Sequence, residues 1–327
     1  MRAAVVDTYG QAPRIGERAD PQHRPGTTLV RLNAASMNPV DLVISSGNHP
    51  VGKPPLPHVL GIEGVGTVVE SAAFSPGTRV RVSVPGGLVD GTFAEYTVAP
   101  DEACVALPDQ LSDTLAAAIG AVGTSGLVAL RDLAGLQAGE SVLVLGATGG
   151  FGQAIVQIAR ALGAGRVVAA GRNAQRLDRL AGSTGDAELD ARPVSTVLLD
   201  SDPVGFGRQL EKAGGKVDVV VDPLWGPYAP AALAGLAPTG RYVNVGGAAG
   251  AESTINAGLL RHAQIKMTGF SGAALSAEQG SAAYRDVVGL ALAGRLNPDI
   301  VTYPLDDIEA AWNAQAASPG AKIVIQP

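Results

Sequence analysis

The residues whose types and spacing point most clearly to a binding function form a glycine-rich turn near the middle of the chain. An apolar segment, Ser141 to Leu145, leads into this turn, and a helical stretch, Ala154 to Gly163, follows it. Small residues let a backbone approach a pyrophosphate, and the first N–H groups of a helix offer unpaired donors and a partial positive charge. The pattern predicts a dinucleotide-binding turn, with a ligand-free tight turn as the alternative. Its candidate residues are Ala147, Thr148, Gly149, Gly150, Phe151 and Gly152.

The residues after the next predicted strand distinguish between two dinucleotides. The turn matches the dinucleotide fingerprint except that Ala147 replaces its first glycine. NAD-binding proteins place an Asp or Glu about 20 residues further on, where it accepts hydrogen bonds from the ribose hydroxyls. Here the segment contains Gly171, Arg172 and Arg176 and no acid. Because guanidinium groups neutralise a 2′-phosphate, these residues predict NADPH, unless the arginines only solvate the start of the next helix.

Six apolar segments can form the parallel sheet that such a turn requires. They alternate with Ala-rich helical stretches, which is typical of repeated βαβ units in a doubly wound sheet. The predicted strands are Ser141 to Leu145, Arg166 to Ala170, Thr196 to Leu199, Val217 to Val221, Arg241 to Val245 and Ile265 to Gly269.

The beginning of the chain has a different texture, in which short β-branched runs are separated by Gly and Pro turns. This spacing predicts an antiparallel, barrel-like domain. After a helix, Ala277 to Ala293, the closing segment Lys322 to Ile325 is similar to the first region, so we expect the tail to complete that domain. The predicted early strands are Leu29 to Leu32, Gly66 to Val69, Arg79 to Val84 and Ala94 to Val98.

Composition excludes several classes of protein. The 327 residues carry 24 Lys and Arg against 30 Asp and Glu, and a net charge of -6 is the wrong sign for binding nucleic acid. The sequence contains no run of about 20 apolar residues, so it predicts no membrane span. The first residues read as a strand and lack a secretory signal, so we expect a cytoplasmic protein. Cys104 is alone, which rules out an internal disulfide and a multi-cysteine metal site, and its apolar surroundings predict a buried thiol.

With the segments around these motifs, the whole chain resembles the medium-chain dehydrogenase/reductase superfamily, and within it the zinc-independent quinone oxidoreductases related to zeta-crystallin. The resemblance implies a GroES-like β-barrel of residues 1–120 and 271–327, an inserted NADPH-binding Rossmann domain of residues 121–270, and an active site in the cleft between them. It is carried by Asn33 to Asp41, Leu60 to Gly66, the glycine-rich turn, Val221-Asp222-Pro223, Val245-Gly246-Gly247 and Gly320 to Ile325.

The resemblance also implies chemistry without a metal. The positions similar to the catalytic zinc ligands of alcohol dehydrogenases hold Asn38, Ile62 and Ala121; two of these cannot ligate zinc and Asn is a poor substitute. We therefore expect hydride transfer from NADPH to a quinone or an α,β-unsaturated carbonyl, whose conjugation spreads the developing charge. An enoyl-thioester reductase and a non-catalytic NADPH-binding protein are the alternatives.

Family resemblance suggests further site residues. Asn38 would lie near the nicotinamide and donate a hydrogen bond to the substrate oxygen or fix the ring, although an Asn before Pro is also a common turn residue. Thr124 and Ser125 lie where the family often contacts the cofactor's phosphate or ribose; a helix N-cap is the alternative. At the carboxyl edge of the sheet, where ligands of open α/β folds bind, the candidate nicotinamide neighbours are Leu224, Val245, Gly246 and Gly247.

The segment after Asn38 departs from the family pattern, since a tyrosine and an arginine that many relatives carry there are missing. His49 lies in this segment and could protonate an enolate, because histidine is the side chain that most often acts as a general acid. An exposed loop histidine without a role is the alternative.

The family habit of pairing edge strands predicts a homodimer. The segment Ile265 to Phe270 could pair across a two-fold axis and so cover its sheet edge. A single edge strand protected by the charge of Lys266 is the alternative.

Overall fold

A computed structural model describes residues 1–50, 52–84, 89–182, 185–199 and 202–327. The strands are β1 (Arg2–Val6), β2 (Arg14–Glu17), β3 (Thr27–Met37), β4 (His58–Val59), β5 (Glu63–Glu70), β6 (Arg79–Ser83), β7 (Tyr96–Pro100), β8 (Cys104–Ala106), β9 (Ser141–Val144), β10 (Arg166–Gly171), β11 (Val194–Leu198), β12 (Val217–Asp222), β13 (Leu236–Asn244), β14 (Lys266–Gly269), β15 (Ile300–Pro304) and β16 (Lys322–Gln326).

The helices begin just after the third strand. They are α1 (Pro39–Ser45), α2 (Asp113–Ala118), α3 (Gly120–Leu127), α4 (Gly150–Ala161), α5 (Ala174–Ala181), α6 (Ala187–Asp190), α7 (Pro203–Lys212), α8 (Ala229–Ala234), α9 (Ala257–Ala263), α10 (Ala277–Leu292) and α11 (Ile308–Ala316). A π-helical segment, Val128–Leu133, follows α3 directly.

The two ends of the chain form one compact unit, Met1–Ala121 with Leu275–Pro327. Its larger sheet has the order β15-β16-β3-β5-β6-β8, with β7 also paired to β3, and a smaller sheet has the order β2-β1-β4. The pairings are antiparallel except that of β15 with β16. Strand β16 pairs with β3, which confirms that the tail completes the first β domain.

Strand β3 is much longer than the predicted Leu29 to Leu32 because it serves two cores. Its first part alternates buried and less buried residues, and Val30 and Leu32 pack in an apolar cluster with β5 and β6. Its last four residues are all buried. There Ala35 and Met37 pack in a second cluster with β16 and α11. A strand covered on both faces loses the alternation from which a sequence is read.

The middle of the chain forms the second unit, Val122–Ala274. Its six strands are all parallel and have the order β11-β10-β9-β12-β13-β14, the doubly wound order with its switch point between β9 and β12. The core contains fully buried Leu143, Val168 and Val220 from three central strands, together with Phe206 and Tyr242. The α/β fold class predicted from the sequence is thereby confirmed.

The predicted boundaries of the parallel strands are close to those observed, with β13 as the main exception. This strand begins at Leu236, five residues before the predicted Arg241. Its pairing with β12 has an irregularity in this part, and Thr239 has a left-handed φ of 63°. A Pro-Thr-Gly sequence indicates a turn rather than a strand, which explains the difference.

Candidate functional site

The glycine-rich turn joins β9 to α4, as predicted. Gly146 adopts a φ of +62°, a left-handed conformation that favours glycine, and Gly149 is the N-cap residue of α4. The turn is held by bonds from the N–H of Ala147 to the oxygen of Ala170 (2.8 Å) and from the N–H of Gly149 to the oxygen of Gly146 (3.0 Å). These two N–H groups are used internally, so the first N–H groups of α4 are the donors that the turn offers to an anion.

Two glycines next to this turn have no room for a side chain. A Cβ on Gly152 would lie 2.2 Å from the oxygen of Gly146 and 2.6 Å from the Cα of Ala147. A Cβ on Gly171 would lie 2.6 Å from the side chain of Thr148. The backbones of β10, the turn and α4 therefore approach one another as closely as glycine allows.

The predicted arginines lie at the same edge of the sheet. Arg172 follows β10 directly and is exposed, and Arg176 lies in the first turn of α5. The N–H of Arg176 donates to the side chain of the N-cap residue Asn173 at 3.0 Å. In the part of the chain that the structure describes, neither guanidinium has a carboxylate partner. This position fits either of the two predicted roles, phosphate binding or solvation of the helix start.

The candidate nicotinamide neighbours follow β12 and β13. Leu224 lies over the turn, since its Cδ2 is 3.2 Å from the place of a Cβ on Gly146. A Cβ on Gly246 would lie 2.8 Å from the oxygen of Pro223, and the N–H of Val245 donates to the oxygen of Asp222 at 2.8 Å. With Gly247 next to Gly246, all four predicted residues lie at the carboxyl edge of the sheet.

Asp222 serves the turn after β12. Its carboxylate accepts hydrogen bonds from the N–H of Leu224 (2.7 Å) and of Trp225 (2.9 Å), and from the hydroxyl of Tyr242. Burial raises the pKa of the fully buried Asp222, while these hydrogen bonds oppose the rise. The three donors account for the buried carboxylate as the cap of a turn.

Thr124 and Ser125 lie inside α3, so the alternative that either is its N-cap is wrong: an N-cap precedes the first helical residue. Thr124 is buried, and within the described residues its hydroxyl has no hydrogen-bond partner. The Oγ of Ser125 is 2.9 Å from the place of a Cβ on Gly272. Buried hydroxyls are normally paired, so an unpaired one in this unit fits a group supplied by a ligand.

Asn38 lies at the centre of a buried polar network in the other unit. It precedes α1 and is 4% exposed. Its Nδ2 donates to the oxygen of Ser36 (3.1 Å) and to Oε1 of Glu63 (3.2 Å), and its Oδ1 accepts from Nζ of Lys322 (2.5 Å). The amide thus lies between an ammonium group and a carboxylate.

Both carboxylate oxygens of Glu63 accept hydrogen bonds. Its Oε1 also accepts from the hydroxyl of Ser36 (2.9 Å), and its Oε2 accepts from the guanidinium of Arg81 (3.0 Å). A Cβ on Gly120 would lie 2.0 Å from this Oε2, so glycine is required there. Glu63 forms an ion pair with Arg81, as a buried charge requires, whereas Glu63 and Asp41 act on the charge of Lys322 only from a distance.

Burial brings the pKa values of an acid and a base in this network towards each other. It raises the pKa of Asp41 to about 7, although the backbone N–H of Asn38, which donates to Oδ2 at 2.7 Å, and the charge of Lys322 oppose the rise. Burial lowers the pKa of Lys322 to about 8, against the charges of Glu63 and Asp41. Both groups therefore change charge within about one pH unit of neutrality.

The network determines the orientation of the Asn38 amide. A flipped amide would direct its NH2 group at the ammonium of Lys322 and its oxygen at the carboxylate of Glu63. That would lose two hydrogen bonds to charged groups, each worth about 1.5–3 kcal/mol. The expectation that Asn38 donates to a substrate stays a prediction, and such a bond would require one of the two observed N–H bonds to break.

His49 lies in the loop after α1 and is partly buried. Its Nδ1 atom is buried and has no hydrogen-bond partner within the described part of the chain. His49 is thus a loop histidine that is less exposed than the alternative without a role supposed. A role in protonation stays a prediction.

Sequence reasoning missed Glu63, Arg81 and Lys322 as members of one site. A signal was present: Lys322 opens the apolar strand Lys-Ile-Val-Ile, and Glu63 stands within the apolar run Leu60 to Val65. Charged residues are almost never fully buried unless paired, so charges inside such runs indicate an internal ion pair. The sequence does not reveal which partners they have.

The lone cysteine is a buried structural group, and the described residues form no metal site. Cys104 is 4% exposed, its thiol contacts the oxygen of Pro100 at 3.3 Å, and burial raises its pKa to about 11, so it is a buried thiol as predicted. Among the described residues, no group of three His, Cys, Asp or Glu is placed to hold a metal ion. No described helix has the length and apolar character needed to span a membrane.

Comparison with protein families and known structures identifies the class. Residues 24–109 match the alcohol dehydrogenase GroES-like domain, and residues 150–291 match the zinc-binding dehydrogenase family. An NAD-dependent alcohol dehydrogenase structure superimposes with a TM-score of 0.87 at 25% identity over all of both chains. A mycobacterial protein complexed with NADPH gives 0.85 at 25% identity, also over all of both chains. The chain belongs to the medium-chain dehydrogenase/reductase superfamily of oxidoreductases, which bind nicotinamide cofactors.

Within this superfamily the chain is similar to quinone oxidoreductases and to parts of larger synthases. It is 37% identical to the human quinone oxidoreductase over 170 residues, half of each chain. It is 34% identical to a zinc-type alcohol dehydrogenase-like protein of Schizosaccharomyces pombe over 62% of this chain and 57% of that protein. A mycocerosic acid synthase-like polyketide synthase of Mycobacterium tuberculosis is 32% identical over 68% of this chain and 10% of that protein. The matched segments thus span little more than half of these relatives at most.

Proposed function

We propose that this oxidoreductase is a reductase that uses NADPH and transfers a hydride to a quinone or an α,β-unsaturated carbonyl without zinc. The observation that carries the proposal is the constellation at one edge of the parallel sheet. There the glycine-rich turn lies beside two arginines that have no carboxylate partner among the described residues.

The second unit fits a bound dinucleotide. Gly152 and Gly171 have no room for a Cβ, so the backbones around them pack closely. This packing would bring backbone N–H donors close to a bound diphosphate. The unpaired hydroxyl of Thr124 offers a hydrogen bond that a ligand can complete. Arg172 and Arg176 would hold a 2′-phosphate, since their charge-assisted bonds favour it over a bare ribose hydroxyl. When bound, NADPH supplies the hydride.

The side chains at the zinc-ligand positions support a reaction that does not require a metal. Ile62 and Ala121 have no donor atom. The amide oxygen of Asn38 already accepts a hydrogen bond from Lys322, whose positive charge opposes a second cation at this place. A conjugated acceptor suits such a site because it delocalises the charge left by hydride addition. We propose His49 as the group that protonates the enolate formed by hydride addition.

The second candidate acceptor is an enoyl thioester, and the similarity to polyketide synthases favours it. Besides the mycobacterial synthase, the erythronolide synthase EryA2 of Saccharopolyspora erythraea matches at 34% identity over 68% of this chain and 6% of that protein. The hydride step would be the same. Only the carrier-bound acceptor would differ.

The test measures the oxidation of bound NADPH by stopped flow with panels of quinones, simple enones and enoyl thioesters. We expect rapid oxidation with at least one of the first two panels. Oxidation by enoyl thioesters alone would select the second candidate. Inertness towards all three would support a protein that binds NADPH without turnover. Thermal shifts with NADPH and NADH test the cofactor, because selective binding raises the unfolding temperature by mass action, and equal shifts would refute the preference.

We also propose a homodimer that pairs β14 across a two-fold axis. All four residues of β14 are exposed, and within the described residues its only strand partner is β13. An uncovered strand edge favours association with a second copy. Light scattering after size exclusion at low protein concentration should give twice the 32.9 kDa chain mass, and a persistent monomer would contradict the proposal.

A further inference from the structure

Lys322 is a charged group with no surface role. It is 3% exposed at the first position of β16, and its Nζ donates to the oxygen of Met37 at 2.8 Å and to Oδ1 of Asn38 at 2.5 Å. A lysine used only for solubility would extend into water, and a structural one would pair with a carboxylate. This one instead forms its short bond with a neutral amide.

We propose that Lys322 is a positioning residue, whose ammonium fixes the side chain of Asn38 so that one lone pair of its Oδ1 is the open hydrogen-bonding position. Both N–H groups of the amide are used by Ser36 and Glu63, and Lys322 occupies one of the two lone pairs of the oxygen. Asn38 would then accept a bond from an N–H or O–H donor in the site, rather than donate to a carbonyl. The role in the reaction rests on the proposed function; the orientation of the amide does not.

The charged surroundings of Lys322 come from three elements. Asp41 of α1 and Glu63 of β5 act on its charge, and Arg81 of β6 binds the far oxygen of Glu63. Burial lowers the pKa of Lys322 to about 8, so the ammonium that fixes the amide loses its proton at a readily accessible pH. The orientation of Asn38 should therefore respond to pH in the wild-type protein.

The first test observes the side-chain amides of the eight asparagines by NMR in the full chain without cofactor. The Asn38 pair is assigned by its loss in Asn38→Asp. We expect it to shift with a midpoint near pH 8 in the wild type, and at a lower pH in Asp41→Asn, because the carboxylate charge that raises the pKa of Lys322 is then missing. In Lys322→Arg it should not titrate there, because a guanidinium keeps its charge. In Lys322→Met the pair should stay at the high-pH position of the wild type.

The matched control is Lys212→Met, which changes an exposed lysine at the end of α7. It should leave the Asn38 resonances as in the wild type. An Asn38 pair that does not titrate near pH 8 in the wild type, or that is the same in Lys322→Met at neutral pH, would overturn the proposal. If Lys322→Met fails to fold, the wild-type titration and Lys322→Arg still decide it.

The second test measures hydride transfer from bound NADPH in a single turnover with the best acceptor. Loss of a hydrogen bond to a charged group predicts a rate roughly 10- to 100-fold lower in Lys322→Met, with the Kd of NADPH changed by less than about 3-fold. Lys322→Arg should recover most of the rate. A lower rate with unmoved Asn38 resonances would also contradict the positioning role. If the wild type reacted with no acceptor, the proposed function would be refuted. The NMR test alone would then decide whether Lys322 fixes the Asn38 amide.

Discussion

The two polar regions of the molecule differ in how many of their polar groups are hydrogen-bonded within the protein. Around Asn38, most of the buried polar groups are bonded to one another: Glu63, Ser36, Arg81 and Lys322 form a single network, in which Nε of Arg81 has no partner among the described residues. Around the glycine-rich turn, polar groups are left open at the helix start, at Thr124 and at the two arginines. A closed network keeps a geometry, because every displaced group would be buried without a partner. A region with unpaired donors can instead bind the acceptor atoms of a ligand.

The largest effect is expected from a substitution in the glycine-rich turn, where the backbone is most crowded. Gly152→Ala would put a Cβ 2.2 Å from a backbone oxygen, which no side-chain movement can relieve. We expect the free energy of unfolding to fall by about 4 kcal/mol or more and NADPH binding to be lost. Urea unfolding and calorimetric titration measure the two effects.

The control for this change is Gly289→Ala in α10, where nothing lies within 4 Å of the new Cβ and φ is not left-handed. It should raise the free energy of unfolding by about 0.5–1 kcal/mol, because alanine is the better helix former, and leave binding unchanged. If Gly152→Ala bound NADPH as tightly as the wild type, the close approach at the turn would have no part in holding the cofactor.

The open and closed regions also differ in how far the sequence predicts them. The turn and its arginines are local, since the strand, glycines and helix are consecutive, and their pattern predicted both the elements and the doubly wound order that contains them. The closed network joins Asn38 to Glu63 and to Lys322, which are 25 and 284 residues away along the chain. Periodicity and turn chemistry predict elements, but only packing determines which buried charges meet. The same reason explains β3, whose burial on both faces depends on a tail about 290 residues later.

The second prediction tests the closed region through its acid. Because burial raises the pKa of Asp41 from 3.8 to about 7, the folded protein holds this proton more tightly than the unfolded chain does. The resulting stability is complete below pH 3.8 and is lost as the pH rises to about 7. The free energy of unfolding of the wild type minus that of Asp41→Asn should therefore fall by roughly 3 kcal/mol between pH 4 and 7.5.

Urea unfolding of both proteins at several pH values measures this difference. Groups common to both, such as His58, whose pKa is lowered by burial, cancel in the subtraction. A difference that stays constant across this range, or that rises, would mean that the pKa of Asp41 is not raised in the folded protein.

The third prediction concerns the two arginines of the open region. Replacing both Arg172 and Arg176 by Ala should raise the Kd of NADPH by roughly 10- to 100-fold, because charge-assisted bonds to the 2′-phosphate are lost. The Kd of NADH should change by less than about 2-fold, since it has no such phosphate. Calorimetric titration at low salt gives both values. Arg285→Ala, at an exposed position of α10, is the matched control. If the double variant lost equal affinity for NADPH and NADH, the arginines would only solvate the start of the helix.

The smallest expected effect separates an open hydroxyl that serves a ligand from one that does not. Thr124 and Thr97 are both buried, and within the described residues neither hydroxyl has a partner. Since a buried unpaired hydroxyl costs free energy, Thr→Val at either position should raise the free energy of unfolding of the cofactor-free protein by about 1 kcal/mol. Only Thr124→Val should also weaken NADPH binding, by roughly 3- to 10-fold, because Thr97 lies on β7 in the other unit. Equal NADPH affinities in the two variants would show that the hydroxyl of Thr124 is a packing defect and not a cofactor contact, and the open region would then consist of the turn and its arginines alone.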